Sequence, residues 1–194
     1  MFFARRPSRE AIDRFVRDSH ALPLSYDQIG IVNTETPGRE LDEAIVTIGR
    51  GKSDFERARN ALVAWKHFDI GWVEAFPPHA PLAAGTVVAV LIRHFGFWSL
   101  NGCRILYSVG SRDDIRFGFA YGTLTNHAES GEELFDVFRD PESGDVKYRI
   151  RATSRPQAML TRIGQPIVRA LQARFRRDSA EAMARATRGF GSRQ

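Results

Sequence analysis

Cysteine is almost missing from this chain: Cys103 is the only one in 194 residues. No intrachain disulfide can form, and zinc ribbons and Cys-x-x-Cys redox centres are excluded. Such usage suits a reducing compartment, so a cytoplasmic location is expected. No apolar run approaches the roughly 18 residues of a membrane span. The opening segment, Met1 to Arg6, is not followed by the apolar stretch of a secretory signal, and Glu10 and Asp13 do not suit a transit peptide. Repeats, long linkers and low-complexity blocks are also missing.

Several chemical signatures begin and then fail. Gly51-Lys52-Ser53 has the ending of a phosphate loop, but the glycine required five residues earlier is Val46. Gly49 and Gly51 open a dinucleotide fingerprint whose third glycine is Asp54. His127-Ala128-Glu129 has the His-x-Glu of zinc deaminases, a chemistry that needs two later cysteines, and none follows Cys103. The other histidines, His20, His67, His79 and His94, are scattered. No metal and no cofactor is expected.

What is present is the composition of one globular domain, 43% hydrophobic and 26% charged. The expected division is a single domain, with 1–40 as an N-terminal extension and 41–188 as the core. A chain of this length buries a core without covalent staples. The net charge of +5 is unevenly spread. From Arg155 to Gln194 nine arginines stand against Asp178 and Glu181, 9 − 2 = +7, which leaves the rest slightly acidic. Either a solvated helix face or a surface for nucleic acid or acidic membrane accounts for this bias.

Periodicity sets out the elements. Ser8 caps a short amphipathic helix in which Ile12, Phe15 and Val16 share a face. Tyr26 to Val32 can hold a short strand, and Glu43 to Ile48 reads as another. A helix follows with a Ser53-x-x-Glu56 capping box, and Phe55, Ala58, Leu62 and Trp65 form its buried stripe. Trp72 to Phe76 and Thr86 to Phe95 are strands. Asn101-Gly102 is a turn signal before Cys103 to Val109. Ile115 to His127 alternates bulky with small, with Phe117, Phe119 and Tyr121 on one face and Gly118, Ala120 and Gly122 on the other. Glu129 to Glu133 reads as a turn and Leu134 to Arg139 as a strand. Val146, Tyr148, Ile150 and Ala152 alternate with charged residues. Ser154 is then placed to cap a long helix with the stripe Leu160, Ile163, Ile167, Leu171 and Phe175, hinged at Gly164 and Pro166.

This order predicts an α+β fold: a curved antiparallel sheet with a long C-terminal helix across it, the helix-grip arrangement, which encloses space for a ligand. The glycine row Gly118, Ala120, Gly122 marks close approach either of a ligand or of another backbone. Trp98, Gly118, Ala120, Tyr121, Gly122, Ile163 and Ile167 are the candidate ligand contacts. Tyr121, His127, Glu129 and Arg104 are the polar candidates for catalysis. Around His127, the carboxylates Glu129, Glu132 and Glu133 make either a charged hairpin tip or, at a cavity mouth, an acid/base pair.

A resemblance covers most of the chain, from about Pro7 to Arg177. The run Phe119-Ala120-Tyr121-Gly122-Thr123-Leu124 followed by His127-x-Glu129-x-Gly131-Glu132-Glu133-x-Phe135 resembles an uncharacterised family of bacterial and plant proteins, domain-of-unknown-function family nineteen-ninety. Leu100-Asn101-x-Cys103-Arg104-Ile105-x-Tyr107, Ser154-Arg155-Pro156 and Gly49-x-Gly51-x-x-x-Phe55 match the same pattern. The chain departs from it at Asn126, where glycine is expected, and at Gly102, where proline is usual. The resemblance carries no catalytic role to any residue. Its pattern of elements is similar to the START/SRPBCC helix-grip proteins, which include lipid and polyketide binders and cyclases. Three functions are therefore weighed: binding of a small hydrophobic or amphipathic molecule between sheet and helix, metal-independent catalysis of the cyclase or hydrolase type in the same space, and docking of an anionic partner on the arginine-rich helix.

Overall fold

The alternating strands build one sheet. In the computed structural model, residues 1–34, 40–94, 96–110, 115–156 and 165–188 are described. Their elements are β1 (Phe2–Phe3), α1 (Arg9–Ser19), β2 (Glu40–Arg50), α2 (Gly51–Val63), β3 (Val73–Phe76), β4 (Val87–Arg93), β5 (Trp98–Val109), β6 (Arg116–Thr123), β7 (Glu129–Arg139), β8 (Asp145–Pro156) and α3 (Gln165–Arg188). The strands run antiparallel in the order β2-β8-β7-β6-β5-β4-β3, and β1 pairs with β5.

Strand geometry sends successive side chains to opposite faces, and each face has its own cover. On the inner face Phe119, Phe135, Val137, Tyr148 and Ile150 pack with Phe55, Ala58 and Leu62 of α2 and with Leu171, Phe175 and Met183 of α3. Trp65 and Phe68 complete an aromatic cluster there, with Phe68 edge-on to Phe135 and Phe175. On the outer face α1 lays Ile12 and Phe15 on Phe76, Ala89, Leu91 and Leu100. Farther along, a 3-10 turn at Ile31–Asn33 sets Val32 on Ala120 and Leu134. Residues 1–34 thus form an outer layer on the sheet.

The helices start for local reasons. Ser8 Oγ accepts from Ala11 N at 3.2 Å at the head of α1. In α2, Gly51 takes φ +79°, so the helix begins two residues before Ser53. Asp54 Oδ2 accepts from Arg50 N at 2.7 Å and satisfies the helix start in place of the expected Ser53/Glu56 box.

Four expected elements are corrected. Asn101-Gly102 lies inside β5, opposite Ala89 and Val90, and makes no turn. Asn101 is buried there, its amide donating to Ser99 Oγ at 2.9 Å and its carbonyl accepting from Ala128 N. The β6–β7 turn falls at 125–128, so Glu129 to Glu133 is strand. Ser154 pairs opposite Gly131 within β8 and caps no helix. Tyr26 to Val32 holds no strand; the isolated bridge of Leu24 with Leu124 lies before it. Residues 157–164, with Leu160, Ile163 and Gly164, lie outside the described residues, as does the side chain of Ile167. Pro166 falls in the first turn of α3, where its missing N–H costs no hydrogen bond.

Candidate functional site

Polar side chains gather on the inner face where β6, β7 and β8 pass beneath α3. Tyr121 stands opposite Glu133, and Glu133 opposite Ala152. Tyr121 Oη donates to Glu133 Oε2 at 2.6 Å. Farther along β7, Glu129 accepts from Gln172 Nε2 of α3 at 3.2 and 3.3 Å, and the same amide reaches Ser154 Oγ at 3.5 Å. Arg176 of α3 pairs with Asp42 at 3.3 Å, and Tyr148 Oη meets Ser179 Oγ at 2.9 Å. The helix is therefore held by polar contacts at Gln172, Arg176 and Ser179, interleaved with the apolar contacts of Leu171, Phe175 and Met183.

Burial governs the electrostatics. It pushes the Glu133 carboxyl up to about 7; the charge of Glu129 pushes the same way, while the Tyr121 hydrogen bond and Arg176 oppose it. Glu129 is raised as well, by burial, against its bonds from Gln172 and Ser154. The Tyr121 phenol moves well up from burial and the nearby carboxylate. Cys103, fully buried beside them, is raised by burial and by Glu133, so it stays a thiol and is no nucleophile. A carboxyl that titrates near neutrality next to a hydroxyl can exchange a proton or bond a polar group of a ligand.

The remaining candidates lie elsewhere. His127 Nδ1 accepts from Glu129 N at 2.9 Å, a contact with its neighbour's backbone and not with a carboxylate, and burial holds the imidazole down to about 4. Arg104 donates to the carbonyls of His20 and Leu22 at 3.1 and 2.8 Å and secures the N-terminal segment. Trp98 packs with the outer-face cluster under α1, and Arg6 lies over its ring. Gly118, Ala120 and Gly122 also face outward. A methyl group at Gly118 would overlap the Phe135 carbonyl and Asp136, one at Gly122 would overlap the Tyr26 hydroxyl, and Ala120 lies beneath Val32. The glycine row admits protein, not a ligand, and of the expected polar set only Tyr121 and Glu129 share the inner face.

Sequence reasoning grouped Glu133 with the other carboxylates of a turn and passed over Gln172 and His67. Alternation through β7 was the available signal: continued back to Glu129 it puts Glu129 and Glu133 with Phe135 on the inner face, and Glu132 with Leu134 on the outer. Glu132 is 2% exposed and accepts from Gly30 N at 2.8 Å, Tyr107 Oη at 2.7 Å and Tyr26 Oη at 3.2 Å. His67 is fully buried among Trp65, Phe68, Phe119 and Phe135, with no partner for either ring nitrogen among the described residues. Burial lowers its pKa to about 3, so the ring is neutral.

Two open clefts flank α3. One of about 690 Å³ runs along β2, over Ala44 and Val46 and beside Arg176, Ala180 and Ala184. The other, about 400 Å³, lies at Trp72, Arg93, His94, Leu171 and Arg174. No helix among the described residues is long and apolar enough to cross a membrane.

A curved antiparallel sheet closed on its inner face by α2 and by a C-terminal helix defines a helix-grip protein. TTHA0849 from Thermus thermophilus has this fold, with a TM-score of 0.52 at 9% identity over 79% of this chain and 99% of that one. The chain belongs to the family described as Domain of unknown function (DUF1990), whose pattern matches residues 25–182. It is 34% identical to a UPF0548 protein of Dictyostelium discoideum, over 96% of this chain and 95% of the relative. To a UPF0548 protein of Deinococcus radiodurans it is 36% identical, over 96% and 98%.

Proposed function

We propose that this protein holds a small hydrophobic or amphipathic molecule between the inner face of the sheet and α3, with the molecule's polar group at Tyr121, Glu133, Glu129 and Gln172. The carrying observation is the Tyr121–Glu133 pair. Two neighbouring carboxyls whose burial raises their pKa values are costly in a purely structural core, and a site for a polar ligand group gives them a use. Leu171 and Phe175 of α3, packed on Phe68 and Phe135, supply the apolar wall beside it.

Native mass spectrometry of the gently purified protein tests this reading, together with titration of the folded protein by the fluorescent probe anilinonaphthalene sulfonate. A stoichiometric adduct of small mass, or saturable probe uptake that Glu133→Gln weakens at least about tenfold, is expected. No adduct and no saturable uptake by a protein with a cooperative melt overturns the proposal. The pKa of Glu133 near 7 also favours a second reading, a metal-independent acid/base enzyme of the cyclase or hydrolase type. A captured molecule returned altered by the wild type and intact by Glu133→Gln supports catalysis; one returned intact by both leaves binding alone.

A further inference from the structure

The two edges of the sheet are unlike. The β3 edge is four residues long and is followed at once by Pro77-Pro78, a common protection against further pairing. The β2 edge is eleven residues long and pairs only with β8 among the described residues. Its centre, Ala44 to Ile48, carries no charge and no proline. Leu41, Ile45 and Val46 are 38%, 47% and 41% exposed, so apolar side chains meet water on both faces of one edge strand. A long, apolar edge of this kind, bulged near its end between Thr47 and Gly49, is a template for another strand.

The charges on β2 select the occupant. Asp42 and Glu43 stand at one end of the strand and Arg50 at the other. Asp42 and Glu43 have neighbours within the chain, Arg176 at 3.3 Å and Arg149 and Arg151 at 3.7 and 3.8 Å, yet each keeps 40% or more of its side chain exposed. Arg50 lies 3.9 Å from Asp145 and is 76% exposed. A second β2 laid antiparallel and centred on Ile45 sets that residue against its own copy and, with the bulge between Thr47 and Gly49 counted, brings Leu41 to Glu43 of each copy beside Thr47 to Arg50 of the other. The pattern is self-complementary: Glu43 of each copy lies diagonal to Arg50 of the other on the same face, and the apolar centre meets itself. Beside this edge lies the cleft of about 690 Å³ over Ala44 and Val46, rimmed by Arg185 and floored by Ala180 and Ala184 of α3.

We infer that the β2 edge is the interface of a homodimer, in which two copies pair β2 to β2 and continue one sheet across a two-fold axis. The inference rests on the edge strand and is independent of the ligand reading. It is tested by sedimentation equilibrium of the full chain over a micromolar concentration series. A species of about 44 kDa, twice the 21.9 kDa chain, is expected. Ile45→Lys, which puts a charge at the centre of an exposed strand, should raise the dissociation constant by more than about tenfold with an unchanged circular dichroism spectrum. Cysteine substitution gives a second measurement, because Cys103 is fully buried and stays silent. Under a mild oxidant Ile45→Cys should form a covalent dimer, while Ile29→Cys, 54% exposed on the outer layer, should not. A wild type that stays monomeric throughout, or equal cross-linking of the two variants, overturns the inference.

Discussion

At the scale of single residues, Glu133 and His67 bend stability in opposite directions with pH. The folded state raises Glu133 from an ordinary 4.5 to about 7. It therefore binds this proton more tightly than the unfolded chain does. The resulting stabilisation is whole below about pH 4.5 and is lost as pH rises through 7, on the order of 1–3 kcal/mol. His67 is lowered from 6.5 to about 3, so its contribution is whole above 6.5 and is lost as pH falls toward 3. Urea unfolding as a function of pH separates the two. Glu133→Gln should be more stable than the wild type at pH 8 and equal to it near pH 4.5. His67→Phe should narrow the acid-side decline and leave pH 8 little changed. Curves that run parallel to the wild type for both variants would place these groups in contact with bulk water. Glu132, next in sequence to Glu133, serves a structural end instead: Glu132→Ala removes the acceptor shared by Tyr26, Gly30 and Tyr107 and should cost about 2–4 kcal/mol, with the Gly30 amide losing its protection from hydrogen exchange.

At the scale of elements, periodicity revealed what turn chemistry concealed. The alternation of β6 was legible because bulky and small residues segregate cleanly, and the stripes of α1 and α2 were legible for the same reason. What the pattern does not contain is which face meets which cover. The glycine row could serve a ligand or a backbone, and the outer layer of residues 1–34 decides for the backbone. Asn101-Gly102 misled because its turn chemistry is neutralised by burial: Asn126 lies over Gly102, where a methyl group would overlap its amide oxygen. Gly102 and Asn126 therefore touch, the missing side chain at Gly102 making room for the Asn126 amide. The site was half legible, since Tyr121 and Glu129 carry their types in the sequence, while Gln172 and Arg176 join them only through the docking of α3. The glycine row also gives a double-mutant test. Gly118→Ala drives a methyl group into the Phe135 carbonyl and should cost about 2–4 kcal/mol, because backbone must shift. Gly122→Ala meets chiefly the Tyr26 hydroxyl, so Tyr26→Phe should recover about 1 kcal/mol or more in that background while costing about 1 kcal/mol alone. Additive losses would show that Tyr26 does not pack at Gly122.

At the scale of the whole molecule, the sheet is covered on both faces, and the two covers divide the work. The inner cover, α2 and α3, overlies the titratable pair of β6 and β7, and the clefts flank α3. The outer cover, residues 1–34, brings Tyr26 to Glu132, Ser25 to Thr123, Asn33 to Tyr107 and Arg6 to Glu74. Pairing of two β2 edges would close the cleft along β2 and leave the one at Trp72, Arg93 and Leu171 as the open approach to the inner face. The outer cover keeps the sheet's other surface dry: Ala89, Leu91 and Leu100 are fully buried beneath Ile12 and Phe15. Burial of Ile12 and Phe15 contributes roughly 3–6 kcal/mol, a large part of the ~5–15 kcal/mol that holds a domain of this size together. Arg104 adds two bonds to the carbonyls of His20 and Leu22 from the middle of β5. A chain that begins at residue 23 should therefore lose its cooperative thermal transition or become insoluble, even though every strand of the main sheet path and both inner helices remain. The paired variant Ile12→Ala/Phe15→Ala should lower the melting temperature in the full-length chain without altering the near-neutral titration of Glu133, read by carboxyl chemical shifts. A truncated chain that melts as sharply as the full one would make the outer layer an appendage; an altered Glu133 titration in the paired variant would mean that the two faces are coupled through the sheet.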